Sequence, residues 1–172
     1  MYGVTGSGKS TAADRIGRLT GLPCYRADNL TWEPNWVAVA EEEQRRRIAE
    51  ICAGDEWILD AAYELWRDIP FSRADVLVAL DYPRWCSLLR LVRRTVARIV
   101  RGHDICNGNR ESLRKVLSRD SIIIWHFRSF ARRRRLIRQW DEHSPGPAVH
   151  RFEHPKQLDA WISTVPQRRS EQ

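Results

Sequence analysis

No stretch of the sequence approaches the roughly 20 consecutive apolar residues that a membrane-spanning helix needs. The first residues, Met1-Tyr2-Gly3, lack the basic and apolar regions of a secretory signal, so a cytoplasmic protein is expected. Cysteine is sparse. Cys24, Cys52, Cys86 and Cys106 stand far apart, with no CxxC pair and no zinc-ligand spacing, which predicts reduced thiols lying partly in the core. Internal repeats, a Gly/Ser linker and any shift of composition are also missing. The 172 residues are therefore expected to form a single domain. With 42% hydrophobic and 30% charged residues, the chain has enough apolar surface to fold, and wholesale disorder is excluded.

What is present in excess is positive charge. Twenty-nine Lys and Arg against 22 Asp and Glu give a formal net charge of +7. A basic protein usually has an anionic partner, and both nucleic acids and nucleoside triphosphates qualify. Charge does not choose between them.

A motif does. Gly3-Val4-Thr5-Gly6-Ser7-Gly8-Lys9-Ser10 matches G-x-x-x-x-G-K-[ST] without a mismatch. Glycines let the backbone curl so that successive N–H groups face phosphate oxygens, and a following helix adds the positive end of its dipole. Lys9 is expected to reach the β- and γ-phosphates, Ser10 to ligate Mg²⁺, and Thr11 to contact an α-phosphate. Gly3, Thr5, Gly6, Ser7, Gly8, Lys9, Ser10 and Thr11 thus form a predicted ATP-binding set.

The rest of the chain alternates short apolar runs with longer helical ones, which predicts an α/β fold of the three-layer P-loop type. Helices are expected over 9–19, 41–53, 83–101, 110–117, 121–140 and 155–162. Strands are expected over 24–26, 57–59, 76–80 and 149–152. Runs such as Val76 to Leu80, apolar without alternation, suggest a parallel sheet buried on both faces. Trp85, Leu88, Leu89, Val92, Val96 and Ile99 form the expected core stripe of the long helix. Residues 102–109, polar and glycine-bearing, are expected to be a mobile loop within a helical lid around 90–120. Only Met1 and Tyr2 precede Gly3, whereas a buried strand usually has about five residues, so the natural start is expected to lie upstream.

Ligands in open α/β folds sit beyond the carboxyl ends of strands, and three acids lie there. Asp60 is placed to hold Mg²⁺ directly or through water. Asp28 is placed to orient an acceptor hydroxyl or take its proton. Asp81 has the alternative role of capping the long helix. Arg90, Arg94 and Arg98 repeat at four-residue spacing, with Arg93 and Arg101 beside them, and Arg110, Arg114, Arg119 and Arg128 follow. Arginines that close over a transferring phosphoryl group neutralise its charge and exclude water, and Arg94 is the candidate carried forward. The run Arg132-Arg133-Arg134-Arg135 suits a solvated helix face better than a DNA contact. His126, among Trp125, Phe127 and Phe130, suits the core or an acceptor pocket better than a metal site. Trp32 and Trp36 flank Glu33-Pro34-Asn35 and could line a pocket for a flat group or simply pack.

Four segments in order carry a resemblance: Gly3 to Thr11, Ala27 to Trp36, Trp57 to Tyr63, and Leu80 to Trp85. Together they resemble a bacterial family of adenylate kinase-like proteins, some of which are labelled DNA topology modulation proteins. The similarity extends to about Arg135 and fades beyond it. The glycine motif is generic, while Asp28-Asn29-Leu30-Thr31-Trp32-Glu33-Pro34-Asn35-Trp36 is more specific. The resemblance implies a P-loop kinase fold with a helical lid. Gly8, Lys9, Ser10 and Thr11 would lie on phosphates and Mg²⁺, with Asp60 at the acidic position of the metal site. The chain departs from the family in its short first strand. It also has Asp60-Ala61-Ala62-Tyr63 where the family often has Asp-Gly-Asn-Tyr, and it lacks the arginine pattern of an AMP site.

Three functions fit these residues. The first is an ATP-dependent phosphotransferase acting on a small-molecule acceptor, with Lys9, Asp28, Asp60 and Arg94 as its catalytic set. The others are a nucleotide-switched nucleic-acid-binding protein and an ATPase without an acceptor.

Overall fold

A computed structural model describes residues 1–101, 106–109, 121–143 and 146–167. The fold is α/β, and its centre is a small parallel sheet. Strand β1 (Tyr2–Gly3) pairs with β6 (Val76–Leu80), and β6 pairs with β7 (Ala148–Phe152), both in parallel. A second parallel pair joins β2 (Cys24–Tyr25) to β5 (Ile58–Leu59). The Met1 ammonium donates to Leu59 O at 2.8 Å and so links the two ladders. The side chains of β6 alternate between two cores. Leu77 and Ala79 pack with Ile48, Trp66 and Ile137, whereas Val78 and Leu80 pack with Ala12, Ile16, Leu158 and Ile162. That alternation is why β6 is apolar at every position.

Helix α1 (Lys9–Thr20) leaves the glycine-rich turn and ends at Gly21, whose N–H reaches Gly17 O. Helix α2 (Ala27–Thr31) and the hairpin β3 (Trp32–Glu33) to β4 (Val37–Ala38), joined by a 3₁₀ turn at Pro34–Trp36, follow β2. Helix α3 (Glu41–Ala53) opens with Glu41, Glu42 and Glu43, where the positive end of the helix dipole stabilises carboxylates. A short α4 (Asp68–Phe71) lies between β5 and β6. Helix α5 (Arg84–Arg101) and helix α6 (Ile122–His143) separate β6 from β7, and α7 (Pro155–Thr164) closes the chain. Its N-cap His154 accepts from Lys156 N–H, while Gln157 Oε1 accepts from the backbone N–H of His154.

The strands and long helices thus fall where hydrophobic patterning places them. Helix α2, the hairpin and α4 differ from the expectation, because elements of two to five residues carry no usable period. The expected helix at 110–117 lies outside the described residues. The four cysteines are free thiols, three of them buried. No helix among the described residues is long and apolar enough to cross a membrane.

The expected core stripe of α5 is a correction. Trp85, Leu89 and Val96 are 66%, 53% and 54% exposed, and Val92 is exposed as well. The buried row is instead Ser87, Leu91 and Thr95, at four-residue spacing. This row, rather than the larger apolar stripe, faces inward because it meets the glycine turn at backbone distance, as described below.

Trp66 is the largest wholly buried side chain, and its Nε1 donates to Gln44 Oε1 at 3.3 Å. Trp66→Ala is expected to cost about 3–5 kcal/mol, since it opens a cavity and strands Gln44. A urea titration checks this as a lowered midpoint.

Candidate functional site

Residues 3–8 form a tight loop between β1 and α1. Gly3, Gly6 and Gly8 have φ of 151°, 82° and 97°. Ser7 N–H and Ser7 Oγ both donate to Val4 O, at 3.2 and 2.8 Å, and this curls the segment. Gly6 has no alternative. Its φ lies in the left-handed region, and a Cβ there would stand 2.3 Å from Ser87 O and 2.8 Å from Leu91 Cβ. Helix α5 therefore rests on the loop at a distance that only glycine permits.

That seat brings arginines to the loop. Arg90 Nη1 donates to Ser7 O at 3.2 Å, and its guanidinium lies 5.6 Å over the Tyr82 ring. From the other side of the sheet, Arg133 of α6 donates to Gly3 O at 2.9 Å and stands 5.4 Å over the Tyr2 ring. Lys9 Nζ folds back to Gly3 O and Val4 O, both at 3.0 Å. Removal of Lys9 from water lowers its pKa from 10.5 to about 7, and the fields of Arg133 and Arg94 push the same way. Asp60 and Asp28 oppose the shift, so Asp28, Asp60 and Arg94 of the expected catalytic set all lie within electrostatic reach of Lys9.

The two acids hold different positions. Asp60 is buried, its Oδ1 accepts from Ala27 N–H at 2.8 Å, and its Oδ2 stands 3.6 Å from Arg26 Nη1. Asp28 is exposed and accepts a hydrogen bond from Tyr63 OH on Oδ1. Burial, and then the charge of Asp28, raise the Tyr63 phenol well above its ordinary pKa, so it stays a donor. Its ring packs edge-on against Trp66, with centroids 5.5 Å apart. Thr5, Ser10 and Thr11 occupy the loop and the first turn of α1, and Thr11 is exposed. Ser10 and Asp60 supply one hydroxyl and one carboxylate. That donor set suits Mg²⁺, which keeps several waters and takes its other ligands from substrate phosphates. No group of three His, Cys, Asp or Glu suited to a metal occurs among the described residues.

The hairpin beside Asp28 is held by residues 106–109. Asn107 Nδ2 donates to Asn29 O and Trp32 O at 3.0 and 2.6 Å. Asn109 Nδ2 donates to Glu33 O at 3.0 Å, and its Oδ1 accepts from Trp36 N–H at 2.7 Å. Trp32 and Trp36 meet edge-to-face with centroids 5.9 Å apart. Residues 106–109, expected as part of a mobile loop, are thus clasped to the tryptophan hairpin. Residues 102–105 of that loop, with Arg110, Arg114 and Arg119, lie outside the described residues.

Two further expectations change. The run Arg132 to Arg135 is not one solvated face. Arg132 pairs with Glu64, Arg133 with the loop carbonyl and Arg134 with Asp81, while Arg135 faces a groove. The signal for Arg133 was present, because it shares a helical face with the buried Phe130 and Ile137 at spacings of three and four. Asp81 is wholly buried under Arg134, Arg138 and Arg151, and is spent on that ion cluster. His126 is a core residue. It is wholly buried, with Nε2 2.9 Å from Ser87 Oγ, and burial together with Arg84 lowers its pKa.

Comparison with protein-family models, with curated proteins and with solved structures gives no match. The site must be judged on its own geometry.

Two outcomes are expected. Gly6→Ala strains the backbone and pushes α5 off the loop, which is expected to cost about 2–4 kcal/mol in a denaturant titration. Lys9 titrates lower in the folded chain than in the unfolded one. Between about pH 7 and 10 the unfolded chain therefore binds the extra proton, and stability gains a component that rises with pH. Lys9→Met removes that component, and unfolding free energies of the two proteins measured across this range are expected to converge as pH rises.

Proposed function

We propose that the chain is a P-loop phosphotransferase that moves the γ-phosphoryl group of ATP to a hydroxyl of a small-molecule acceptor. The observation that carries this is the convergence of Lys9, Arg90 and Arg133 on the carbonyls of one glycine-curled loop, with Arg94 in electrostatic reach. An ammonium desolvated to a pKa of about 7 beside two guanidinium groups marks a place where a polyanion is strongly favoured.

In this scheme the loop amides of 3–8 and Lys9 hold the phosphate tail, while Arg90, Arg94 and Arg133 neutralise it. Ser10 and Asp60 would hold Mg²⁺, which would supply positive charge against the phosphates. The carboxylate of Asp28, fixed on one oxygen by Tyr63, meets the acceptor hydroxyl with the other. As the acceptor oxygen bonds to the γ-phosphorus, the bond from that phosphorus to the β-bridging oxygen breaks. The hydroxyl proton passes to Asp28, and ADP leaves. Trp32 and Trp36 would wall the acceptor side. The clasp through Asn107 and Asn109 would hold that wall in place.

The four-arginine run was the main sequence feature favouring nucleic acid. Three of its guanidinium groups are engaged within the fold, so the phosphotransferase is favoured over a nucleic-acid switch.

Lys9→Ala is expected to abolish ATP turnover without lowering the melting temperature. Incubation of labelled ATP with panels of nucleosides, nucleotides, sugars and small metabolites tests for transfer. If only phosphate release is seen, unaffected by every acceptor, the protein is an ATPase. A polyanion beside Lys9 restores the ordinary pKa, so binding of Mg·ATP at pH 8 is expected to take up about one proton. Calorimetry in two buffers of different ionisation enthalpy measures the uptake, and equal heats would contradict it.

A further inference from the structure

A second cationic feature lies away from the glycine loop. An open groove of about 630 Å³ runs along the outer side of α6, lined by Arg84 at the start of α5 and by Phe130, Arg134, Arg135, Arg138 and Glu142. Two of its guanidinium groups are fixed by an aromatic ring. Arg84 Cζ stands 4.6 Å from the centroid of Phe130, and Arg134 Cζ stands 5.5 Å from it. Arg84 also lies 5.5 Å over Phe127. The side chains are thus held in place before any ligand arrives, which lowers the entropy cost of binding.

The charges of the groove do not balance. Asp81, wholly buried beneath it, accepts from Nε of both Arg134 and Arg138. Arg151 also reaches Asp81, but its guanidinium bonds to Asp141 and Glu153 at 2.7 Å each. Arg84 and Arg135 have no carboxylate within ion-pair distance among the described residues. Four guanidinium groups therefore face one buried carboxylate and Glu142 at the rim, an excess of two positive charges. Among the described residues, the Arg84 and Arg135 side chains have no hydrogen-bond acceptor, and Arg138 bonds through Nε alone. Guanidinium forks of this kind suit phosphate oxygens better than isolated ammonium groups do.

We propose that this groove is a second anion site, for a small molecule carrying a diphosphate group, separate from the glycine loop. Arg133 and Arg134, adjacent on α6, turn to different targets, the loop carbonyl of Gly3 and the groove carboxylate of Asp81. One helix thereby serves two separate concentrations of positive charge. The proposal does not rest on the phosphotransferase assignment, since it concerns residues that assignment leaves unused.

Inorganic pyrophosphate is the probe. Titrated by calorimetry at low salt into the Lys9→Ala protein, it is expected to bind one site. Adding Arg84→Ala and Arg135→Ala to that background is expected to weaken binding by at least about tenfold. Both residues are exposed, so the melting temperature should hold. Removing two arginines elsewhere, Arg18→Ala with Arg73→Ala, is expected to leave the affinity unchanged. ADP titrated in parallel shows whether the diphosphate is preferred free or attached to a nucleoside. The proposal falls if the Lys9→Ala protein binds no pyrophosphate, if the groove variant binds as tightly as its parent, or if the control pair weakens binding equally. It also falls if a short single-stranded oligonucleotide displaces pyrophosphate with a steep salt dependence, which would give the groove to nucleic acid.

Discussion

The approach of α5 to Gly6 sets the geometry of the whole site. A hydrogen in place of a side chain lets Ser87 O and Leu91 lie against the loop, at distances a methyl group could not tolerate. That contact fixes where α5 runs. The helix then carries Arg90 to Ser7 O, brings Arg94 into the field of Lys9, and positions Ser87 to receive His126 from α6. It also explains why Ser87, Leu91 and Thr95 form the buried row of α5 while Trp85, Leu89 and Val96 face outward. Close backbone packing at one end sets the rotation of the whole helix, and the hydrophobic stripe follows that rotation.

Positive charge is divided among three tasks. Lys9, Arg90 and Arg133 converge on loop carbonyls, where each would exchange an internal acceptor for a phosphate oxygen. Arg134, Arg138 and Arg151 surround Asp81 at the end of β6 and tie α6 to the sheet, because a wholly buried carboxylate requires charged partners. Arg45, Arg46 and Arg47 pair with surface acids and add little stability. The net charge of the protein therefore describes none of its sites. What matters is which guanidinium groups lack a carboxylate.

The surroundings of Asp28 are built by relay. Gln44 bonds to Trp66, Trp66 packs on Tyr63, and Tyr63 donates to Asp28, so an exposed carboxylate is aimed by a buried chain of contacts. The hairpin next to it contains Asn35 and Trp36 with φ of 63° and 60°, a conformation uncommon for side-chain-bearing residues. Asn109 holds that turn by bonding both of its neighbouring backbone groups, and asparagine can do so because its amide offers a donor and an acceptor together.

The glycine spacing, the 3.6-residue period of the long helices and the uninterrupted apolar strand Val76–Leu80 are local properties, and the sequence by itself determined them. They sufficed to place α1, α3, β6, β7 and α7 and to put Asp60 at the end of β5, whereas Asp28 lies in the first turn of α2. Tertiary structure alone decided which face of α5 is buried, which of four consecutive arginines reaches the loop, and that Asp81 belongs to an ion cluster. It also decided that Asn107 and Asn109 clasp a hairpin more than 70 residues earlier in the chain. The physical reason is range. Periodicity and turn chemistry act over a few neighbours, whereas burial of a charge or the seating of one backbone on another depends on groups brought together only by folding.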